Sequence, residues 1–85
     1  MNAVFIVRSC QYWHNFRGER GSVHSIEHVF DIEDKAKQYI ANFRRSGVDA
    51  QTKDTSDEPD RWCRLTDRYS GEFKLDMWVD KMIVE

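Results

Sequence analysis

Residues 31–47, Asp31-Ile32-Glu33-Asp34-Lys35-Ala36-Lys37-Gln38-Tyr39-Ile40-Ala41-Asn42-Phe43-Arg44-Arg45-Ser46-Gly47, decide the fold, because they are the one stretch of this chain with helical periodicity. Ile32, Ala36, Tyr39, Ile40 and Phe43 recur at intervals of three and four and fall on one stripe. Asp31 is positioned to cap the N-terminus, with Asp34 three residues on as an acidic variant of the capping box. Glu33 faces Lys37 one turn later, a small favourable pair. Arg44 and Arg45 oppose the dipole at the far end, and Gly47 is placed to supply a left-handed C-cap. Everything on either side reads as strand or loop.

Upstream, Val4 to Gln11 reads as a strand whose consecutive Val4, Phe5, Ile6 and Val7 make both faces apolar, as suits an interior strand covered on both sides. Val23 to Phe30 reads as a second strand, with His24, Ile26, His28 and Phe30 on one face and Ser25 and Glu27 on the other. Gly18 and Gly21 suit the bends of a long loop between them. Downstream, Val48 to Lys53 is a short edge strand, and the acidic stretch Asp54 to Asp60, with Pro59, is a solvated loop. Arg61 to Arg68 and Glu72 to Val79 then form a hairpin around Tyr69-Ser70-Gly71, with Gly71 at the position that needs positive φ. That register sets Leu65 on Leu75 and Cys63 on Met77 on one face. On the other it sets Arg68 on Glu72, Arg64 on Asp76 and Trp62 on Trp78, so opposite charges and aromatic rings meet across the strands. Met82 to Val84 extends or ends the last strand.

The expected fold is α+β, order ββαβββ, a largely antiparallel sheet with one helix packed on one face, in a single domain over residues 1–85. A helix is about 10 Å across and a five-stranded sheet roughly 20–25 Å wide, so one helix leaves much of the sheet bare. A curled hairpin, a second copy of the chain or a partner must cover the rest.

Composition sets outer limits. Charged residues are 33% of the 85 and the formal net charge is −2, so electrostatics gives no push toward duplex nucleic acid or acidic membranes. The 40% hydrophobic and 13% aromatic content is that of a folded chain. No apolar run approaches the roughly 20 residues of a membrane helix. The apolar start, Met1 to Arg8, reads as a first strand rather than a signal peptide. Two cysteines, Cys10 and Cys63, do not make a disulfide framework, and reduced thiols in a cytoplasmic protein are the expectation.

Candidate function concentrates in Tyr12 to Ser22, which reads as an inter-strand loop carrying Tyr12, Trp13 and Phe16, two Arg-Gly pairs and His14. Loops favour small polar residues, whereas aromatic and arginine enrichment is the composition of a contact surface. Tyr12, Trp13, Phe16, Arg17 and Arg20 are therefore candidate partner-binding residues, with Trp62, Arg64 and Trp78 as a second patch. The simpler account is that Trp62 and Trp78 only stiffen their hairpin, and that Tyr12 to Phe16 fold back under their own loop.

Other chemistry finds less support. Cys10 with His14, and His24 with His28, are spaced i, i+4, which converges on a metal only in a helix. On strands such residues stand ~13 Å apart, so no metal site is assigned, although Cys10 or His14 meeting His24 across the hairpin stays open. Both cysteines sit in strand centres, where cysteine behaves as a small hydrophobe. Glycine-rich phosphate loops, nucleophile elbows and metalloprotease motifs are absent, so no catalytic residue and no cofactor is expected. Single-stranded nucleic acid is the stronger rival, since Arg17 and Arg20, or Arg61, Arg64 and Arg68 with Trp62, could meet phosphates while rings stack bases. Against it, Glu72, Asp76 and the Asp54–Asp60 loop bring counter-charge to the second cluster.

The segment Val29-Phe30-Asp31-Ile32-Glu33-Asp34-Lys35-Ala36-Lys37-Gln38-Tyr39-Ile40 resembles a recurrent pattern in small uncharacterised ββα-type domains of bacteria and phages. There a strand ends in Val-aromatic, passes an acidic N-cap and enters a helix with a buried alanine. The Val4-Phe5-Ile6-Val7 strand is similar too, while the aromatic loop and the C-terminal hairpin are longer here. The resemblance implies a ββα-type fold and no activity. In size and composition the chain also looks like phage accessory proteins, including anti-CRISPR proteins, which inhibit host machinery by binding a larger complex. The functional expectation is a non-enzymatic protein-interaction module, an inhibitor of an unidentified host complex. A single-stranded nucleic-acid binder and a homodimer with a self-complementary sheet face are the alternatives, and no membrane partner is expected.

Overall fold

A computed structural model describes residues 2–57 and 62–84. Arg61 and the Glu58–Asp60 part of the acidic loop lie outside the described residues. The elements run β1 (Asn2–His14), β2 (Arg20–Phe30), α1 (Glu33–Gly47), β3 (Thr52–Asp54), β4 (Trp62–Asp67) and β5 (Phe73–Val84). All five strands join one sheet in the order β2-β1-β5-β4-β3, every neighbouring pair antiparallel. Strand β1 is interior, pairing with β2 on one side and, from Asn2↔Val84 to Gln11↔Leu75, with β5 on the other.

The expected α+β balance, ββαβββ with one helix packed on one face, is corrected in its weighting. Strand accounts for 57% and helix for 19% of the described residues, so the sheet is the dominant element and the helix a short addition. The physical reason is strand length. β1, β2 and β5 run for 13, 11 and 12 residues, roughly 40 Å each, while 15 helical residues rise only about 22 Å. The helix covers only part of one face, lying across β2, β1, β5 and β4.

The covered part holds the core. Val7, Ala36, Ile40, Cys63, Leu65 and Met77 are buried, with Phe5, Phe30, Tyr39, Phe43, Leu75 and Val79 packed around them. Alternation along β1 explains it: Phe5 and Val7 point to the helix, and Val4 and Ile6 to the opposite face. The β4–β5 register is Trp62↔Trp78, Cys63↔Met77, Arg64↔Asp76 and Leu65↔Leu75, the pairing that charge and aromatic matching select. It shifts after Leu65, so that Thr66 opposes Phe73, and Arg68 does not face Glu72. Arg68 Nε instead donates to the carbonyls of Asp49 and Thr52, at 3.1 and 3.2 Å.

Four local expectations are corrected. The N-cap is Ile32, without a side-chain hydrogen bond, and Asp31 instead lies 3.3 Å from Lys35 Nζ. Gly47 stays inside the helix at negative φ and makes no left-handed cap; a Cβ there would stand 2.6 Å from Leu65 Cδ1, so close packing, not a turn, explains the glycine. A bulge at Glu27 sets Val7 against His28 but Arg8 against Ile26. His24 and Ile26 therefore face away from the helix, while His28 and Phe30 pack beside Tyr39. Finally, the β1–β2 loop is only residues 15–19, since pairing continues to His14↔Arg20.

Candidate functional site

The short loop forms a fixed tip. Asn15 Oδ1 accepts the backbone N–H groups of Arg17 and Glu19 at 2.9 and 3.1 Å. The Asn15 backbone closes the turn with Glu19 and Gly18, and Gly18 takes the positive φ, 82°, that the bend requires. The tip carries Phe16, 96% exposed, with the Arg17 guanidinium 5.9 Å from its ring centre. Trp13 lies across Gly21 on the helix side of the sheet, so closely that a Cβ at Gly21 would overlap its indole. Tyr12, His14 and Arg20 fall on the opposite face.

Beyond Gln11↔Leu75 the β1–β5 ladder stops, although both strands run on, and the sheet forks. A cleft of about 630 Å³ occupies the fork, with Trp13, Tyr12 and Phe73 among its walls. Glu72 spans it: one carboxylate oxygen is 2.7 Å from Arg20 Nη2, the other 3.2 Å from His14 Nδ1. Sequence pairing had sent Glu72 to Arg68 and missed this bridge, because it depends on where the β1–β5 ladder ends.

On the helix-free face, the second patch surrounds a buried charge. Asp76 is 3% exposed. It accepts two hydrogen bonds from Arg64, Nε to Oδ1 and Nη2 to Oδ2, both 2.8 Å, and one from Tyr12 Oη at 2.8 Å. Burial pushes the Asp76 carboxyl up, but the Arg64 and Tyr12 hydrogen bonds and the guanidinium charge outweigh it and hold the group below the ordinary carboxylate range. The same hydrogen bond, with burial, raises the Tyr12 phenol. The Arg64 guanidinium is sandwiched, 4.0 Å from the Phe73 ring centre and 5.0 Å from that of Trp62. Phe73 was not singled out from sequence, and its signal was only its place at the strand start.

Trp62, Arg64 and Trp78 thus share one face with Tyr12, whereas Trp13 stands on the other and Phe16 and Arg17 at the tip. The eight candidates do not form one surface. No protein-family model matches this chain, and no curated protein or solved structure matches it either.

Cys10 Sγ and His24 Nε2 do approach across the β1–β2 pair, at 3.7 Å. His14 and His28 lie elsewhere along the sheet, and among the described residues no three His, Cys, Asp or Glu side chains converge as a metal site needs. Cys63 is fully buried, and burial with the nearby Asp54 charge pushes its thiol up to about 11. Such a thiol is a poor nucleophile. Among the described residues no helix is long and apolar enough to cross a membrane.

Proposed function

We propose that the protein is a non-enzymatic protein-binding module that engages its partner through the β1–β2 tip, with Phe16 and Arg17 as anchors backed by Trp13 and the adjoining cleft. The observation that carries this is a nearly fully exposed phenyl ring on a hydrogen-bonded turn. Burying such a ring contributes about 1.5–3 kcal/mol. A turn already fixed loses little entropy when it does so. An inhibitor of a larger host complex, of the kind mobile elements encode, needs a contact surface of this sort and no chemistry of its own. The nucleic-acid alternative is weakened because two of its cations and one of its rings are already engaged: Arg20 is held by Glu72, and Arg64 and Tyr12 by Asp76.

The test is affinity capture from the native host with wild type and with Phe16→Ala combined with Arg17→Ala. Loss of a binding anchor costs roughly 2 kcal/mol or more, about 30-fold in affinity. The captured partner should disappear while the thermal midpoint stays unchanged. Full capture by the double variant overturns the assignment.

A further inference from the structure

The helix-free face of the sheet is separate from the tip. We infer that it is a homodimer interface, two copies packing face to face into a helix–sheet–sheet–helix sandwich. Apolar side chains stay open on it in the single chain: Ile26 and Val29 of β2 are 59% and 50% exposed and Met82 of β5 is 48% exposed, with the half-buried Val4 and Trp78 beside them around the already buried Ile6. Ile26 and Val29 share this face only because the Glu27 bulge turns the strand between them.

Two observations select a second copy as the occupant. The first is charge. Across the middle of the face each ion is matched within the chain, Arg64 by Asp76 and Arg8 Nε by Asp80 Oδ2 at 2.7 Å, while Lys53 stands at the rim on β3. A face built to recognise a charged partner carries unmatched charge. A neutral face meets its own image about a two-fold axis without repulsion. The second is area. The molecule extends 48 × 24 × 18 Å, and a face of the two larger dimensions accommodates the roughly 800 Å² per partner of a standard stable interface. Sheets packed this way stand about 10 Å apart with aligned strands, and the twist of each sheet sets their angle.

The test is sedimentation of the full chain from about 1 to about 100 µM, at and above the µM-to-pM dissociation constants that interfaces of this size show. The expected species has twice the 10.2 kDa chain mass. Ile26→Lys, and independently Val29→Lys, should return it to monomer with an unchanged circular dichroism spectrum. Val23→Lys is the control: Val23 is on the same strand and equally exposed, but pairs with Gln11 on the helix side. It should leave the dimer intact, as should Phe16→Ala, which separates this interface from the tip. A monomer throughout, a dimer indifferent to both face variants, or a dimer dissolved equally by Val23→Lys would each overturn the inference; the last would indicate pairing through the β2 edge.

Discussion

At the Asp76 carboxylate, burial and hydrogen bonding pull in opposite directions, and the bonds from Arg64 and Tyr12 win. A carboxyl held below its unfolded value of about 3.9 adds stability that is complete above that value and lost as pH falls through the folded pKa. Asp76→Asn removes that contribution and leaves Arg64 under-compensated, a loss of about 3 kcal/mol. In urea titrations from neutral to acid pH the variant should therefore be weaker at pH 7 and decline less steeply below pH 4. Replacing both partners, Arg64→Met with Asp76→Leu, should restore most of the loss, since no unpaired charge then remains. Gly47 poses a different contest at the same scale. Alanine is the better helix former by about 1 kcal/mol, but its Cβ would meet Leu65 Cδ1 at 2.6 Å, and Leu65 is buried in the core. Overpacking costs about 1–3 kcal/mol, so Gly47→Ala should lower stability by about 1 kcal/mol in denaturant melts. A gain would mean that Leu65 has room to rotate.

Among the elements, β2 depends most on a single residue. The Glu27 bulge lets one strand serve both faces, sending Ile26 away from the helix and Phe30 toward Tyr39. Deleting Glu27 removes the extra residue and either turns Phe30 off the core or shifts the whole strand. That deletion should cost several-fold more stability than Glu27→Ala, which loses only the 2.6 Å bond that Ser9 Oγ donates to its carboxylate. Nuclear Overhauser contacts between Phe30 and Tyr39 should vanish in the deletion variant and persist in the alanine one. The bulge was not legible in the sequence, because an inserted residue keeps the local pattern and shows only against the partner strand. The β4–β5 register was legible for the opposite reason: Arg64 with Asp76 and Trp62 with Trp78 coincide at one offset. The helical stripe was legible from its periodicity, whereas its ends were set by tertiary contact, Gly47 by Leu65. The candidate site followed the same division. Residue types marked Phe16, Arg17, Trp62 and Trp78 as contact material, but their separation onto tip and face, and the Glu72 bridge, follow from where ladders stop.

For the whole molecule, dominance of the sheet has a kinetic consequence. β1 closes against β5 across nearly the full chain, Asn2 against Val84, and the connection from β2 through α1 to β3 crosses from one edge of the sheet to the other. Loop closures of that length precede any reward from the contacts they make. The helix cannot lead instead, since its 15 residues fall at the marginal limit for isolated stability and its N-cap makes no side-chain hydrogen bond. A peptide of residues 31–48 should therefore be mostly non-helical by circular dichroism in water. The intact protein should refold in milliseconds to seconds, the range of domains dominated by non-local pairing, when followed by tryptophan fluorescence after dilution from urea. Microsecond recovery, or a strongly helical peptide, would mean that the helix nucleates the fold. Slow recovery with an unstructured peptide would mean that α1 forms only as Ala36 and Ile40 dock against Val7, Cys63 and Met77 of an assembled sheet.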